Sequence, residues 1–280
     1  MANVTVGLLH PGEMGSVVGE VVRGAGAQVL WASEGRSKAS CARAEAAGLV
    51  DARTLAALVS QSEAILSVCP PHAAMEMARE VAARRFAGVY LDANAVSPKT
   101  ARAIGDLLEG AGARFVDGGI VGPPPKAPGT TRLYLSGKEA ESIAALFKTG
   151  PMEAIILEGF PGAASALKVA YAAYTKGTAA LLMAIRALAI KEGVDDALQE
   201  EWARSLPELP ARAAAAIRGN VRKAWRFVGE MEESTEAFGE AGLPDGFSRA
   251  AATIYRRLVD YKDVKEPPSV AEISAVLSKR

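Results

Sequence analysis

In the first half of the chain, short apolar runs alternate with longer segments whose apolar residues recur at helical spacing. The short runs predict β-strands and the longer segments predict helices. Apolar strands separated by helices form parallel sheets that are covered on both faces, so a doubly wound α/β fold is predicted. The predicted strands are 3–9, 28–31, 64–68, 89–92, 114–116, 131–135 and 155–157, and the predicted helices are 13–23, 37–47, 72–85, 98–110 and 138–147.

The second half of the chain is predicted to be helical almost throughout. Beyond Gly159, strand patterns are nearly absent. The alanine- and leucine-rich segment 163–191 is too long and too apolar for a lone surface helix, so it is predicted to be the spine of a second domain. The chain is therefore predicted to contain an α/β domain at 1–158 and an all-α domain at 159–280. Further helices are predicted near 195–204, 208–218, 221–241, 246–261 and 270–279.

Composition narrows the classes of partner. The 280 residues contain 32 Lys+Arg and 32 Asp+Glu, and no long basic run offers a face for nucleic acid. The N-terminal residues lack the pattern of a signal peptide, and Cys41 and Cys69 are the two cysteines, so reduced thiols in the cytoplasm are expected. Charged residues interrupt every long apolar run, so no membrane span is predicted. No metal site is predicted.

A turn with two glycines follows the first predicted strand. Gly12 and Gly15 match the second and third glycines of a dinucleotide-binding fingerprint, whereas His10 stands at the first. His10 would have to adopt a turn conformation that glycine adopts at lower cost. A strand, turn and helix with two glycines also occurs without a ligand, so a purely structural interpretation stays open. The residues expected to surround the cofactor pyrophosphate at the helix N-terminus are His10, Pro11, Gly12, Glu13 and Met14.

The residues after the second strand bear on the choice of dinucleotide. Glu34 has the spacing of a carboxylate that binds the ribose diol of NAD. Ser33, Arg36 and Ser37 offer instead the guanidinium and hydroxyls that suit a ribose 2′-phosphate. NADP is therefore predicted over NAD, with Arg36 on the 2′-phosphate and Glu34 turned to solvent. In the alternative, Arg36 is a solvated charge at the start of the next helix.

Two loops are expected at the carboxyl edge of the sheet, where ligands of open α/β folds bind. One follows the strand 64–68 and the other follows the strand 89–92. The residues predicted to contact the nicotinamide end of the cofactor are Cys69, Pro70, Pro71 and Asn94. His72 opens a helix and is more typical of a cap or surface residue than of a catalytic group.

Four segments occur in the order and spacing found in one enzyme superfamily. The chain resembles the β-hydroxyacid dehydrogenases, including 3-hydroxyisobutyrate and 6-phosphogluconate dehydrogenases and, more distantly, imine reductases, and this resemblance covers residues 3–192. The last 90 residues match no classical member and are similar to a distinct helical domain of a poorly characterised branch. The segments are Pro11-Gly12-Glu13-Met14-Gly15, Asp92-Ala93-Asn94-Ala95-Val96-Ser97-Pro98, Asp117-Gly118-Gly119-Ile120-Val121-Gly122 and Gly162-Ala163-Ala164-Ser165-Ala166-Leu167-Lys168.

This resemblance implies a Rossmann domain, a helical domain, a homodimer, and hydride transfer to or from a small carbonyl compound. By the same resemblance, Gly12, Met14 and Gly15 hold the cofactor, Asn94 replaces a serine near the nicotinamide, and Lys168 is the general acid/base. The chain also departs from the family, and these departures leave the substrate open. Val121-Gly122-Pro123 stands where relatives have Ser-Gly-Gly for a substrate carboxylate, and Ala172 replaces an asparagine.

Lys168 is the candidate catalytic residue. Tyr171 and Thr175 lie three and seven positions later, so they share its face on a helix and could replace the missing orienting amide. A lysine that carries a proton needs its pKa lowered towards neutrality by an apolar surround. An arbitrary lysine is a surface residue, and only the position in the family order favours catalysis. The residues predicted to bind substrate are Asn94, Val121, Gly122, Tyr171 and Thr175.

Three functions remain open from the sequence. The first is an NADP-dependent reductase or dehydrogenase of a small carbonyl or hydroxy compound. The second is an imine reductase, for which Lys168 is an awkward residue because many such enzymes carry another group there. The third is a non-catalytic nucleotide-binding scaffold, which the loss of the substrate anchors at Val121 and Ala172 favours.

Overall fold

A computed structural model of the protein describes residues 4–279, except for the side chains of residues 217 and 263. Asn3, at which the first strand is predicted to begin, lies outside the described residues. The strands are β1 (Thr5–Leu8), β2 (Gln28–Trp31), β3 (Val50–Asp51), β4 (Ala64–Ser67), β5 (Val89–Asp92), β6 (Arg114–Val121), β7 (Thr131–Ser136) and β8 (Met152–Ile156). They form one sheet in the order β3-β2-β1-β4-β5-β6-β7-β8. Each neighbouring pair is parallel except β6 and β7.

Several helices begin at a side-chain cap supplied by the local sequence. Ser97 accepts a hydrogen bond from the Thr100 amide, and Pro98 takes the first helical position behind it. Ser269 and Glu272 form a capping box. The helices are α1 (Glu13–Gly24), α2 (Lys38–Ala46), α3 (Leu55–Gln61), α4 (Pro71–Ala82), α5 (Pro98–Gly110), α6 (Ala140–Ala144), α7 (Ala163–Lys191), α8 (Asp195–Ser205), α9 (Leu209–Asn220), α10 (Ala224–Glu240), α11 (Gly246–Arg256) and α12 (Val270–Leu277).

Alternate residues of the strands supply two apolar layers, one on each face of the sheet. In β4, Ala64 and Leu66 join the layer that includes Val22 of α1. Ile65 joins the opposite layer, which includes Leu108 of α5. The prediction of a doubly wound sheet followed by helices is therefore confirmed, because both faces of the mostly parallel sheet are covered.

The structure differs from the prediction at β6, which continues to Val121 instead of ending near residue 116. Glycine is a weak strand former, so Gly118 and Gly119 masked the rest of this strand. The structure shows why side chains are missing there. A Cβ atom on Gly118 would lie 2.7 Å from the Leu91 Cδ1 atom, and one on Gly119 would lie 2.7 Å from the Ala164 carbonyl oxygen. The short elements β3 and α3 were not predicted.

The chain divides into two compact units, Met1–Lys168 and Val169–Arg280. This division falls later in the chain than the predicted boundary at residue 158. The core of the second unit is built from apolar residues of α7, α10 and α11, among them Ala172, Met183, Phe227 and Tyr255. Ala172 is thus buried inside the helical unit.

A polar cluster lies within the second unit around Lys176. Its ammonium pairs with the Glu230 carboxylate, and both side chains are mostly buried. The Tyr255 hydroxyl donates to the Lys176 carbonyl oxygen at 2.8 Å, and burial raises the pKa of Tyr255, with Glu230 adding to the effect. A buried ion pair is costly to break from one side, so Lys176 belongs to the packing of this unit.

Among the described residues, α7 is the one helix whose length and apolar composition would suffice to cross a membrane. Its mean hydropathy over the most apolar window is 1.2, and 39% of that window is buried inside the protein. The core helix of a globular domain meets the same criterion, and α7 supplies core residues to the second unit.

Candidate active site

Gly12 and Gly15, in the turn between β1 and α1, have different structural roles. A Cβ atom on Gly15 would overlap the His10 carbonyl oxygen, so Gly15 lets α1 rest against the turn. A Cβ atom on Gly12 would meet nothing within 4 Å. Gly12 is the N-cap of α1 and has no side chain to cap the first amides of the helix, and a helix N-terminus of this kind favours an anion. This turn fits a dinucleotide pyrophosphate, because the open side of Gly12 lets a ligand approach the backbone.

His10 does not adopt the conformation expected of it. Among the described residues other than glycine, positive φ occurs at Arg53 and Arg85 and not at His10, so the expectation of a glycine-like backbone is wrong. Burial, with a smaller contribution from the nearby Arg36 guanidinium, lowers the pKa of the imidazole to about 4. The ring is therefore neutral at pH 7, and its buried Nδ1 atom has no hydrogen-bond partner.

The other residues of the turn differ in exposure. Pro11 is buried, Met14 is half-buried against the core layer beneath α1, and Glu13 is exposed in the first helical turn. Ser16, one turn into the helix, donates from its hydroxyl to the Gly12 carbonyl oxygen at 2.7 Å. The surface of this turn is therefore formed chiefly by backbone, as phosphate binding requires.

Arg36 reaches the fingerprint turn from the segment after β2. Its Nη2 atom donates to the Leu9 carbonyl oxygen at 3.0 Å, and its buried Nε atom has no hydrogen-bond partner. Glu34 is exposed. Ser37 is the N-cap of α2, and the Ser33 amide donates to the Asp51 carboxylate at 3.2 Å. Arg36, the predicted ligand of the 2′-phosphate, thus lies beside the turn. Ser33 and Ser37, which carry the two predicted hydroxyls, precede and follow Arg36 in the sequence.

Arg43 is a further basic residue at this turn that the sequence analysis missed. Its Nε atom donates to the Pro11 carbonyl oxygen at 3.1 Å, and its Nη2 atom donates to the Ser40 hydroxyl at 3.2 Å. Arg36 and Arg43 therefore bring two guanidinium groups to backbone carbonyls of one turn. From the sequence, only the position of Arg43 in the helix that follows Arg36 could have suggested this.

The loops after β4 and β5 are joined through Asn94, which is 2% exposed. Its side-chain oxygen accepts from the Cys69 amide at 2.5 Å. Its side-chain nitrogen donates to the Ser67 hydroxyl and to the Asp92 carboxylate, both at 3.0 Å. The predicted residues Cys69 and Asn94 are thus brought together, but every side-chain polar atom of Asn94 is already engaged within the protein.

Two titratable groups near these loops stay protonated. Burial, with a smaller contribution from the Asp92 carboxylate, raises the pKa of the Cys69 thiol to about 12. Burial also raises the pKa of the fully buried Tyr90 hydroxyl, and the Asp92 carboxylate adds to the effect. Cys69 is therefore a neutral thiol at pH 7 and is unsuited to act as a nucleophile. Pro70 and Pro71 form the N-cap and first residue of α4.

Lys168 lies in the first unit, where the first turns of α7 rest on β6. The Lys168 Cβ atom would be 3.1 Å from a Cβ atom built on Gly119, which shows how closely the base of this side chain packs against the strand. Val121, two residues after Gly119 on the same face, is buried. Gly122 has φ of +126° and is exposed, so it ends the strand with a turn. The base of Lys168 thus packs on the strand that ends at Val121.

Tyr171 and Thr175 belong to the second unit and follow Lys168 on α7. Tyr171 is 48% exposed. The Thr175 hydroxyl donates to the Tyr171 carbonyl oxygen at 2.9 Å, one turn earlier. Among the described residues, no group of three or more His, Cys, Asp or Glu side chains could hold a metal ion.

Comparison with known families accounts for most of the chain. Residues 5–149 match the NAD binding domain of 6-phosphogluconate dehydrogenase, and residues 189–258 match a domain of unknown function (DUF1932). The first match covers more than half of the chain and includes the fingerprint turn. An NAD(P)-binding domain is therefore present.

Solved structures show the same fold over nearly the whole chain. A conserved protein, MTH1747, described as similar to 3-hydroxyacid dehydrogenases, is 26% identical with a TM-score of 0.68, over 92% of this chain and 98% of that one. The 3-hydroxyisobutyrate dehydrogenase of Mycobacterium tuberculosis, solved with L-serine, is 18% identical with a TM-score of 0.70, over 99% of each chain. A reductive aminase from Aspergillus terreus, solved with NADPH and ethyl levulinate, is 19% identical with a TM-score of 0.58, over 99% of each chain.

Proposed function

The chain belongs to the β-hydroxyacid dehydrogenase superfamily, and we propose that it is an NADP-dependent oxidoreductase of a small carbonyl compound or the corresponding alcohol. The observation that carries this proposal is the position of Lys168, whose stem packs on Gly119 of β6 in the unit that contains the fingerprint turn. A bound nicotinamide supplies or accepts the hydride. The Lys168 ammonium donates a proton to the developing alkoxide oxygen, and its amine accepts that proton in the reverse direction.

The remaining residues of the site are proposed to bind and orient. The amides after Gly12 hold the pyrophosphate at the N-terminus of α1. Asn94 shapes the loop beside Cys69, because its side-chain polar atoms already have protein partners. Tyr171 and Thr175, one and two turns after Lys168, remain the proposed orienting groups for the substrate.

NADP is the proposed cofactor on the strength of Arg36. Its guanidinium lies at the turn that would hold the pyrophosphate, and Arg43 adds a second positive charge there. Glu34, the residue that would favour NAD, is exposed to solvent. A ribose 2′-phosphate gains charge-assisted hydrogen bonds from such an arrangement, whereas a ribose diol does not need them.

The test is a turnover screen of hydroxy acids, keto acids, aldehydes and cyclic imines, each with NADPH and with NADH. We expect the wild type to turn over at least one compound with NADPH preferred.

In Arg36→Ala, the KM for NADPH should rise roughly 10- to 100-fold, as expected for the loss of a charged hydrogen bond, while the KM for NADH stays the same. Lys38→Ala removes an exposed charge nearby and serves as the matched control. A silent screen would support a non-catalytic scaffold, and an unchanged preference in Arg36→Ala would remove NADP specificity from Arg36.

An imine reductase is the second candidate. It is favoured by the similarity to the reductive aminase from Aspergillus terreus, which covers 99% of this chain. The screen separates the two candidates, because a carbonyl reductase acts on keto acids or aldehydes without an amine.

We also propose that the enzyme is cytoplasmic, because Cys41 and Cys69 would remain there the free thiols that they are in the structure.

We also propose that the protein is a homodimer. Three large apolar side chains, Tyr174, Leu181 and Leu188, are 62%, 57% and 62% exposed at seven-residue intervals along α7. Seven residues are close to two helical turns, so these side chains form one apolar stripe. An exposed apolar stripe on a core helix is typical of a surface that another protein chain covers.

The stripe gives a direct test of the dimer. Leu181→Glu places a charge in the middle of the stripe, and burying that charge in an interface without a partner would be strongly unfavourable. We expect light scattering after size-exclusion chromatography to report a dimer for the wild type and a monomer for the variant. Leu206→Glu, at a leucine that is 53% exposed outside α7, should leave the dimer intact. A monomeric wild type would contradict this proposal.

A further inference from the structure

The N-terminus of α7 is capped by the sheet and not by its own preceding residue. Gly162 stands before the helix with φ of +98° and has no side chain to offer. The amides of the first turn bind instead to side chains of β6 and β7. The Ala164 amide donates to the Ser136 hydroxyl at 3.3 Å, and the Ser165 amide donates to the Asp117 carboxylate at 3.0 Å. Two donors that would otherwise lack partners are thereby satisfied.

Asp117 is the centre of this cap. It is 1% exposed, and its carboxylate accepts three hydrogen bonds. Besides the Ser165 amide, the Ser165 hydroxyl donates to it at 2.5 Å and the Ser136 hydroxyl at 3.0 Å. A carboxylate accepts without donating, so it matches all three donors at once. A negative group at a helix N-terminus is also favoured by the helix dipole.

The same strand fixes the helix at a second point. Gly119 follows Asp117 by two residues and faces the same side of the sheet. A Cβ atom on Gly119 would be 2.7 Å from the Ala164 carbonyl oxygen and 3.1 Å from the Lys168 Cβ atom, so the helix backbone lies directly against the strand. Lys168 comes one helical turn after Ser165. Its base is therefore held by the hydrogen bonds at Asp117 and by the contact at Gly119.

We propose that Asp117 is a positioning residue for Lys168, acting through the first turn of α7 to hold the Lys168 ammonium at the carboxyl end of β6. This inference rests on the proposed function, because it assigns Asp117 to the reaction that Lys168 would serve. Asparagine is a poor replacement for the carboxylate, since it has one acceptor oxygen for three donors and removes the negative charge from the helix N-terminus. The first turn of the helix would then shift or fray.

Asp117→Asn should lower kcat by about 10- to 100-fold, the scale expected from a misplacement of about 1 Å. The KM for the best substrate of the screen and the Kd for NADPH should stay within about twofold of the wild-type values, because Asp117 is proposed to contact neither the substrate nor NADPH. Ser165→Ala, which keeps the Ser165 amide and loses only the hydroxyl, should lower kcat by about three- to tenfold. This milder variant keeps the test available if Asp117→Asn does not fold.

Leu108→Ala is the matched control, because Leu108 is fully buried in the core of the same unit. This variant should be less stable than the wild type yet keep its kcat below its melting temperature. A wild-type kcat in folded Asp117→Asn, or an equal loss of kcat in Leu108→Ala, would overturn the positioning role.

Hydrogen exchange separates a failure of this inference from a failure of the proposed function. If the wild type turned over no compound of the screen, the function would fail, and the cap would be judged by exchange of the amides at residues 163–168. Faster exchange there in Asp117→Asn, with exchange elsewhere unchanged, supports the role of Asp117 in holding Lys168. Unchanged exchange overturns it.

Discussion

Lys168→Ala should lower turnover by about 100- to 10,000-fold, the range that removal of a proton-transfer group produces. The Kd for NADPH should change by less than about twofold, because the cofactor contacts proposed here lie at the fingerprint turn and after β2. Stopped-flow measurement of NADPH oxidation, with fluorescence titration of NADPH, gives both values. The side chain lies on α7 beside Gly119, and alanine keeps the helix.

The control for this experiment is Lys191→Ala, which removes an exposed lysine from the last turn of the same helix. It should leave both turnover and NADPH affinity at wild-type values. Lys176 is unsuitable as a control because it is buried in an ion pair with Glu230. Turnover in Lys168→Ala equal to that of the wild type would remove Lys168 from the chemistry and leave the proposed mechanism without its acid.

Gly12→Ala and Gly15→Ala should differ in their effect on stability, although the two glycines lie in one turn. At Gly12, where φ is −73° and a methyl group meets no protein atom, alanine should change the free energy of unfolding by less than about 1 kcal/mol. NADPH should bind at least about tenfold more weakly, because the methyl group occupies the approach of the pyrophosphate. Denaturant unfolding and NADPH titration measure the two effects.

At Gly15 the added methyl group overlaps the His10 carbonyl oxygen, so α1 has to move away from the turn. We expect a loss of about 2–4 kcal/mol in the free energy of unfolding, on the scale of other overpacking substitutions. NADPH affinity should fall as well, since the helix N-terminus is displaced. Gly12→Ala with normal NADPH affinity would show that the pyrophosphate lies elsewhere.

The architecture could be predicted because it depends on periodicity, which is local. The bounds of β2, β5, α5 and α7 were predicted to the residue. The second half of β6 could not, because Gly118 and Gly119 carry no strand signal. Their lack of side chains serves contacts with Leu91 and with α7, and such contacts join residues that are far apart in the sequence.

The positions of the site residues along the chain could be predicted from the sequence, but the contacts of their side chains could not. The turn at Gly12 and Gly15 was identified from spacing, yet the backbone of His10 was predicted wrongly because the side chain was judged against glycine alone. Arg43 was missed since a long side chain can reach a carbonyl many residues away. Asn94 was expected to contact the nicotinamide. Its hydrogen bonds within the protein could not be predicted, because they require the loop after β4 to lie beside it in the fold.

The central claim is that the nicotinamide ring and the Lys168 amine meet around one substrate, and a crystal structure of the NADPH complex tests it most directly. Since reacting atoms lie about 3–3.5 Å apart in a productive complex, the nicotinamide C4 atom and the Lys168 Nζ atom should be separated by roughly 5–7 Å, with room for one carbonyl group between them. A pyrophosphate against Gly12 and an Nζ atom at that distance would support the account. A nicotinamide ring more than about 10 Å from Lys168 Nζ, beyond the reach of a single carbonyl group, would contradict it.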